Sequence, residues 1–264
     1  MNRIGRTIGF LGGGRVTGIL LGGLARQTGG VGSVVVAEPD ATAREKLSAR
    51  FPSIVAVEDV VAAVRQEVVF VALHPPVMRK ALPTLAGAIA PASTVVSLAP
   101  VVGLAELSRL LGGHERVARM IPNAPSMIGE GWNPMAFGPG VPEEDREALH
   151  GLFAWLGSAP EVPEAKLEAY AVVTAMGPTY LWFQMEELLT LATSFGLGEE
   201  EARAGLAATL HGATRLLLES GLSAAEVEDT IPVKPLAEEA DAIREAYRRR
   251  LVPLHAKLTG RTVS

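Results

Sequence analysis

Residues 6–18 read RTIGFLGGGRVTG. Ile8, Phe10 and Leu11 form a short apolar run, the triplet Gly12 to Gly14 cuts it off, and Arg15 opens a helical stretch expected to reach about Thr28. This is the order of a strand, a tight turn and a helix. A second apolar run at 34–36 leads to Glu38 and completes the βαβ unit of a dinucleotide site. Glycine has no Cβ, so the turn admits positive φ and lets a pyrophosphate approach the backbone. Unpaired N–H groups at the helix start face its negative charge. On this reading Gly12, Gly14, Arg15 and Val16 hold the pyrophosphate, and Glu38 takes the adenosine ribose hydroxyls. One position departs from G-x-G-x-x-G: Thr17 stands where the third glycine belongs, with Gly18 one place late.

Downstream, strands and helices are expected to alternate. Asp40 starts a helix that Pro52 stops; 54–57 is a strand, 60–64 a short helix, and VVFVAL at 68–73 an unbroken apolar run suited to a strand buried on both faces. His74-Pro75-Pro76 ends that run, a helix is expected at 77–89, and 94–98, 104–111 and 117–121 read as strand, helix and strand. This alternation specifies a parallel, doubly wound sheet, whose ligands lie outside the carboxyl ends of the strands. Those ends carry the turn Gly12 to Gly14, Glu38, Leu73 to Pro76, Leu98 to Pro100 (with Ala99) and Pro122 to Pro125 (with Asn123).

Past Asn123 the pattern changes. Residues 135–137 suit a last strand, Pro142 suits the first position of a helix reaching about Leu156, and 159–162 suits the sheet edge. Beyond Pro163 helices are expected at 164–195, 199–220, after Ser223 with Glu226 as a capping box, and at 237–258. The expected architecture is therefore α/β: a doubly wound Rossmann domain over 1–162 and an all-helical domain over 163–264. Gly177-Pro178 lies inside the first long helix. Proline has no N–H for the Thr174 carbonyl four residues back, so a kink is expected, with Thr174, Thr179 and Tyr180 placing hydroxyls around it.

Composition narrows the function classes. Apolar residues make up 48% of 264, charged residues 20%, and the net charge is −5, which offers nothing to attract nucleic acid or an anionic membrane. There is no cysteine, and the five histidines show no ligand spacing, so no metal is expected. No opening segment reads as a signal peptide, and polar residues or Gly and Pro interrupt every stretch long enough to span a bilayer. A cytoplasmic location is the expectation.

The residues resemble the pyrroline-5-carboxylate reductase family, which reduces a cyclic imine to proline with a nicotinamide cofactor. IGFLGGGRV at 8–16 is similar to the family's opening strand and phosphate loop, VVFVALHPP at 68–76 to its VVFLAVKPQ, and the stretch at 93–107 to a segment ending in SIAAG. RMIPNAPSMIGEG at 119–131 matches RVMPNTPALVGEG most specifically, and GPTY at 177–180 corresponds to GPAY. In the helical half the family's Ser-Gly-Ser is replaced by Thr174-Ala175-Met176. Its DxVxSPGGTT loop, which closes over the imine acid, is replaced by DTIPVKPLAEE at 229–239. The resemblance implies a two-domain reductase that dimerises through its helices.

The expected function is thus NAD(P)H-dependent reduction of a small cyclic imine or related carbonyl compound. Gly12, Gly14, Arg15, Val16, Glu38, Leu73, His74, Pro75 and Ala99 are expected around the cofactor, with Asn123, Thr179 and Lys234 toward the substrate. Asn123, between Pro122 and Pro125, would orient the nicotinamide end or the substrate. Glu38 would repel the extra phosphate of NADP and favours NAD, although Arg15 or Arg44 lies near enough in sequence to serve NADP. A 3-hydroxy-acid dehydrogenase would want a lysine that 174–184 lacks, and an all-helical second half fits a methyltransferase poorly. A non-catalytic nucleotide-binding protein on the same fold is the alternative.

Overall fold

The computed structural model describes residues 5–26 and 31–260. In chain order its strands are β1 (Ile8–Leu11), β2 (Val34–Ala37), β3 (Ile54–Val57), β4 (Val68–Val71), β5 (Thr94–Ser97), β6 (Val117–Met120), β7 (Gly131–Trp132), β8 (Met135–Phe137) and β9 (Gly157–Ser158). The helices are α1 (Arg15–Leu24), α2 (Ala41–Arg50), α3 (Val60–Val64), α4 (Pro75–Leu85), α5 (Leu104–Leu110), α6 (Glu143–Phe153), α7 (Leu167–Tyr170), α8 (Pro178–Ser194), α9 (Glu199–Glu219), α10 (Ala224–Asp229) and α11 (Ala240–Thr259). One compact unit runs to Met176 and takes back the chain from His255; the other is Gly177–Leu254.

In the first unit the main sheet has the order β3-β2-β1-β4-β5-β6-β8. All its pairings are parallel except β6 with β8, so the expected doubly wound sheet is present with an antiparallel edge. The strand order reverses between β1 and β4, which opens the crevice in which such sheets hold ligands. Alternation along the strands builds a core on each face. Phe10 lies in register with Val36 and Phe70. The Phe10 and Phe70 rings stack with centroids 4.8 Å apart, and Phe153 of α6 meets Phe70 edge-on at 5.8 Å. Leu11, Val69, Val71 and Val95 instead face Met78 and Leu82 of α4.

Several boundaries differ from the sequence expectation. The expected end of the first helix near Thr28 lies outside the described residues. Pro75 and Pro76 begin α4 rather than preceding it, because proline's fixed φ suits a first turn whose N–H groups have no intrahelical partner. Pro142 is the N-cap of α6, not its first residue. Asp145, in the first turn of that helix, is buried and takes Arg6 at 2.6 Å, Arg116 at 3.1 Å and the Thr94 hydroxyl at 3.1 Å. The expected edge strand at 159–162 is reduced to one bridge, Met135 with Glu161, while β9 pairs instead with β7, which sequence reading missed.

The long helix expected at 164–195 is broken. Glu164–Lys166 is a 3₁₀ turn, α7 follows, and Ala171–Ala175 is a π-helix closed by Met176 N–H on Ala171 O at 3.2 Å. Pro178 then opens α8 as its first residue. The proline that would kink one helix therefore starts another, directly after a π-bulge.

In the second unit, α8, α9 and α10 follow one another with α9 beginning in three glutamates, Glu199 to Glu201, favourable at a helix N-terminus. Ser223 caps α10, its hydroxyl taking Glu226 N–H at 3.3 Å while the Glu226 carboxylate takes Ser223 N–H at 2.8 Å. This is the expected capping box. Tyr180 and Tyr247 meet edge-on at 5.8 Å. Among the described residues no helix is long and apolar enough to cross a membrane.

Candidate active site

The turn after β1 is built for close approach. Gly12 has φ +97, and a Cβ there would stand 2.8 Å from the Ala72 carbonyl oxygen and 3.3 Å from Leu73 Cδ2. A Cβ on Gly13 would stand 3.1 Å from Glu38 Cβ. The loops after β1, β2 and β4 are thus pressed together at the crevice. Gly14 is the other case: a Cβ there meets nothing within 4 Å, so its open side borders free space. It is the N-cap of α1, and no side chain caps that helix among the described residues. The first N–H groups of α1 are left for an anion.

Thr17 resolves the missing third glycine. It is fully buried, and its hydroxyl donates to Gly12 O at 2.6 Å, tying the first turn of α1 back onto the loop. Glu38 closes the other side. Its Oε2 accepts the Gly13 N–H at 2.8 Å and its Oε1 the Asp40 N–H at 3.1 Å. A carboxylate offers about four lone-pair sites, so acceptor capacity remains for hydroxyls. Arg44 lies beside it but is occupied: Nη1 donates to the carbonyls of Glu38 and Pro39 at 2.7 and 2.8 Å, and Nη2 pairs with Glu58 at 3.6 Å. Arg15 and His74 are exposed, Val16 and Leu73 are partly buried, Pro75 opens α4, and Ala99 is buried past the end of β5. These residues follow the neighbouring strands β2, β1, β4 and β5 at one edge of the sheet.

Asn123 follows β6 at that edge. Its Oδ1 accepts the Trp132 N–H at 3.0 Å and its Nδ2 donates to the Thr174 carbonyl at 3.4 Å. Pro178 has no N–H to give that carbonyl, and the Asn123 amide reaches it. The surrounding network is equally tight: Ser126 Oγ donates to Asn133 Oδ1 at 2.6 Å, and Asn133 Nδ2 reaches Leu156 O at 3.4 Å. The 3₁₀ helix Ala124–Ile128 packs on α1, where a Cβ on Gly23 would stand 2.4 Å from Ser126 O. The segment that most resembles the family thus braces the phosphate-loop helix and the π-bulge together.

Thr179 and Lys234 belong to the helical unit. Thr179 is exposed in the first turn of α8; Lys234 is exposed in the turn between α10 and α11, with its carbonyl taking Ala237 N–H at 3.1 Å. Among the described residues no three His, Asp or Glu side chains gather to hold a metal.

Sequence reasoning missed Arg119, Glu164 and Glu168. Arg119 sits in β6 at 2% exposure, with Nη1 on Glu164 Oε1 at 3.0 Å and Nη2 on Glu168 Oε1 at 2.5 Å. Burial pushes the Glu168 carboxyl up, but the Arg119 hydrogen bond and charge, with the Val101 N–H, outweigh it and hold the group below its ordinary range. An arginine inside the run VARM was the available signal, since a buried guanidinium requires carboxylates.

Comparison with known proteins agrees with this geometry. Residues 7–100 match the family model for NADP oxidoreductase, coenzyme F420-dependent, and residues 164–235 that for pyrroline-5-carboxylate reductase dimerisation. A pyrroline-5-carboxylate reductase of Mycobacterium tuberculosis is 30% identical over 220 residues, covering 80% of this chain and 74% of that one. The chain belongs to the pyrroline-5-carboxylate reductase family. A reductase of Pseudomonas aeruginosa is 28% identical over 83% of this chain and 81% of its own. In fold, the chain is similar to the Plasmodium falciparum pyrroline carboxylate reductase solved with NADP bound, with a TM-score of 0.76, 16% identity, and 98% and 97% of the two chains covered. As a member of the family it is an NAD(P)-dependent oxidoreductase, and the open Gly14 side, the uncapped α1 and the Glu38 carboxylate fit that cofactor.

Proposed function

We propose that this chain reduces a small cyclic imine acid, prefers NADH to NADPH, and works as a homodimer. The observation that carries the reading is the clasp between Glu38 and the glycine turn, with Gly13 N–H held at 2.8 Å. It fixes a negative charge at the end of β2, where ribose hydroxyls are welcome and a phosphate is repelled. Arg44, turned onto backbone carbonyls and Glu58, does not offset that charge.

When bound, the reduced nicotinamide supplies the hydride. The chain supplies placement. Backbone N–H groups of Gly14, Arg15 and Val16, beside Gly12, receive the pyrophosphate, while Leu73, His74, Pro75 and Ala99 line the path to the second ribose and nicotinamide. Asn123, with both ends of its amide engaged, serves best as a brace that sets the π-bulge. Thr179 and Lys234 remain the proposed substrate contacts, a hydroxyl and a cation suited to a carboxylate and an imine nitrogen. We assign the cofactor role to residues 1–162 and the substrate and assembly roles to 163–264.

Two observations support a changed substrate site and a dimer. The dimerisation match stops at residue 235, inside the segment 229–239 that departs from the family loop. Among the described residues α8 and α11 have no buried member and α9 has only Ala202, so the helical unit lacks a core that a second copy would supply.

The test is steady-state turnover on imine acids with five- and six-membered rings, each with NADH and NADPH. Turnover of at least one ring size with a higher kcat/KM for NADH is expected. A hundredfold preference for NADPH would refute the reading of Glu38, and tight NADH binding without turnover of any imine would favour the non-catalytic alternative.

A further inference from the structure

Among the described residues Val101 is the non-glycine residue with positive φ, at +78. For a β-branched side chain this left-handed region is an outlier, and such a residue persists only where its surroundings hold it. Val101 lies in the loop between β5 and α5, and its N–H donates to Glu168 Oε1 at 3.2 Å. That oxygen also takes Arg119 Nη2. One helical turn earlier the arrangement repeats: Glu164 Oε1 takes Arg119 Nη1 at 3.0 Å and the Leu104 N–H, the first of α5, at 2.6 Å. A single buried guanidinium thus orients two carboxylates, and each gives an oxygen to the backbone of the same loop. Nη1 and Nη2 are both engaged on these carboxylates, while Arg119 Nε is the one buried side-chain nitrogen or oxygen of the described residues without a partner.

We propose that Glu168 is a positioning residue for the cofactor, holding loop 98–103 through the Val101 N–H in the conformation that accepts the nicotinamide end. This rests on the reading that Ala99 borders the nicotinamide. Glycine at 101 would adopt the same φ without a clamp. Valine makes the loop dependent on the carboxylate, so loss of the carboxylate lets the loop leave its accepting state. If one molecule in ten then retains that state, apparent affinity for the cofactor falls about tenfold.

The experiment is calorimetric titration of the full-length protein with NADH, with thermal melting of the same samples, for Glu168→Ala, Val101→Gly and the double variant. Glu168→Ala is expected to bind about tenfold more weakly and to melt lower. Val101→Gly alone should bind as wild type does. The double variant should regain affinity to within about twofold while still melting as low as Glu168→Ala, so that rescue of the site is separated from rescue of the fold. Should Glu168→Ala not fold, Glu168→Asp keeps the charge beside Arg119 but draws the oxygen away from Val101, and the same loss and rescue are expected. Unchanged affinity on removing the carboxylate, or a double variant as weak as the single, overturns the proposal. Hydrogen exchange across 98–103 separates the two levels. Protection by NADH in the wild type with no effect of Glu168 sinks the proposal alone; no protection sinks the reading of the loop and the proposal with it.

Discussion

Phe10, Phe70 and Phe153 of the sheet unit are buried, whereas Phe183 and Phe195 of the helical unit are 64% and 78% exposed. Both units spend apolar residues freely, but only the first encloses them. Its strands put Ile8, Phe10 and Val36 on one face and Leu11, Val69 and Val71 on the other, and each set finds helices of the same chain. The helical unit has Leu181, Trp182, Leu188 and Leu191 on α8, all at least partly in solvent. Burying a side chain of that size stabilises by about 1.5–3 kcal/mol, so a face of this kind is expected to be covered in the working protein. The contrast teaches that the sheet unit encloses its own core within one chain and the helical half does not.

That contrast is breakable. Placing carboxylates on the exposed face of α8, with Phe183→Asp and Leu188→Asp together, is expected to weaken self-association by about 4 kcal/mol or more, roughly a thousandfold. Sedimentation velocity is expected to show dimer for the wild type and monomer for this variant. Far-UV circular dichroism should still report the folded sheet unit.

The reciprocal change is Gly12→Val. A side chain at φ +97 with its Cβ 2.8 Å from the Ala72 carbonyl forces the loops after β1 and β4 apart. Strain of about 3 kcal/mol is expected to appear as a roughly hundredfold loss in NADH affinity, with sedimentation as in the wild type.

Asn123→Ala sharpens the border between the two kinds of residue. It removes the acceptor for Trp132 N–H and the donor for Thr174 O, and should lower stability by about 1–3 kcal/mol in denaturant melts. NADH affinity should move by less than about threefold if Asn123 is a brace, and by far more if it touches the nicotinamide.

The smallest effect is expected in acid. The Glu168 carboxyl is held below its ordinary 4.5, so its contribution to stability is present above that value and is lost as pH falls further, through the depressed value in the folded protein. The gap in melting temperature between wild type and Glu168→Ala should therefore be constant near neutrality and narrow below pH 4.5. A gap that widens on acidification would contradict the Arg119–Glu168 pairing.

The fold was largely legible because parallel strands buried on both faces leave unbroken apolar runs, as in VVFV of β4, and because the glycine turn announces its own geometry. Gly12 and Glu38, distant in sequence, were expected at one edge, and the structure joins them through Gly13. What stayed hidden depends on pairing across the chain. Nothing in the letters shows that Thr17 returns a hydroxyl to Gly12, that Asn123 meets the Thr174 carbonyl, or that Val101 adopts φ +78. Pro178 did announce a broken hydrogen bond, but not that a new helix would start there after a π-bulge, nor that Asn123, 51 residues away, would reach the Thr174 carbonyl.

The most direct measurement is the NADH affinity of the monomeric Phe183→Asp, Leu188→Asp variant by calorimetric titration. If the cofactor site is built by the sheet unit of one chain, the variant should bind NADH as tightly as the wild type does. Loss of binding on dissociation would contradict this and place part of the cofactor site on the second copy.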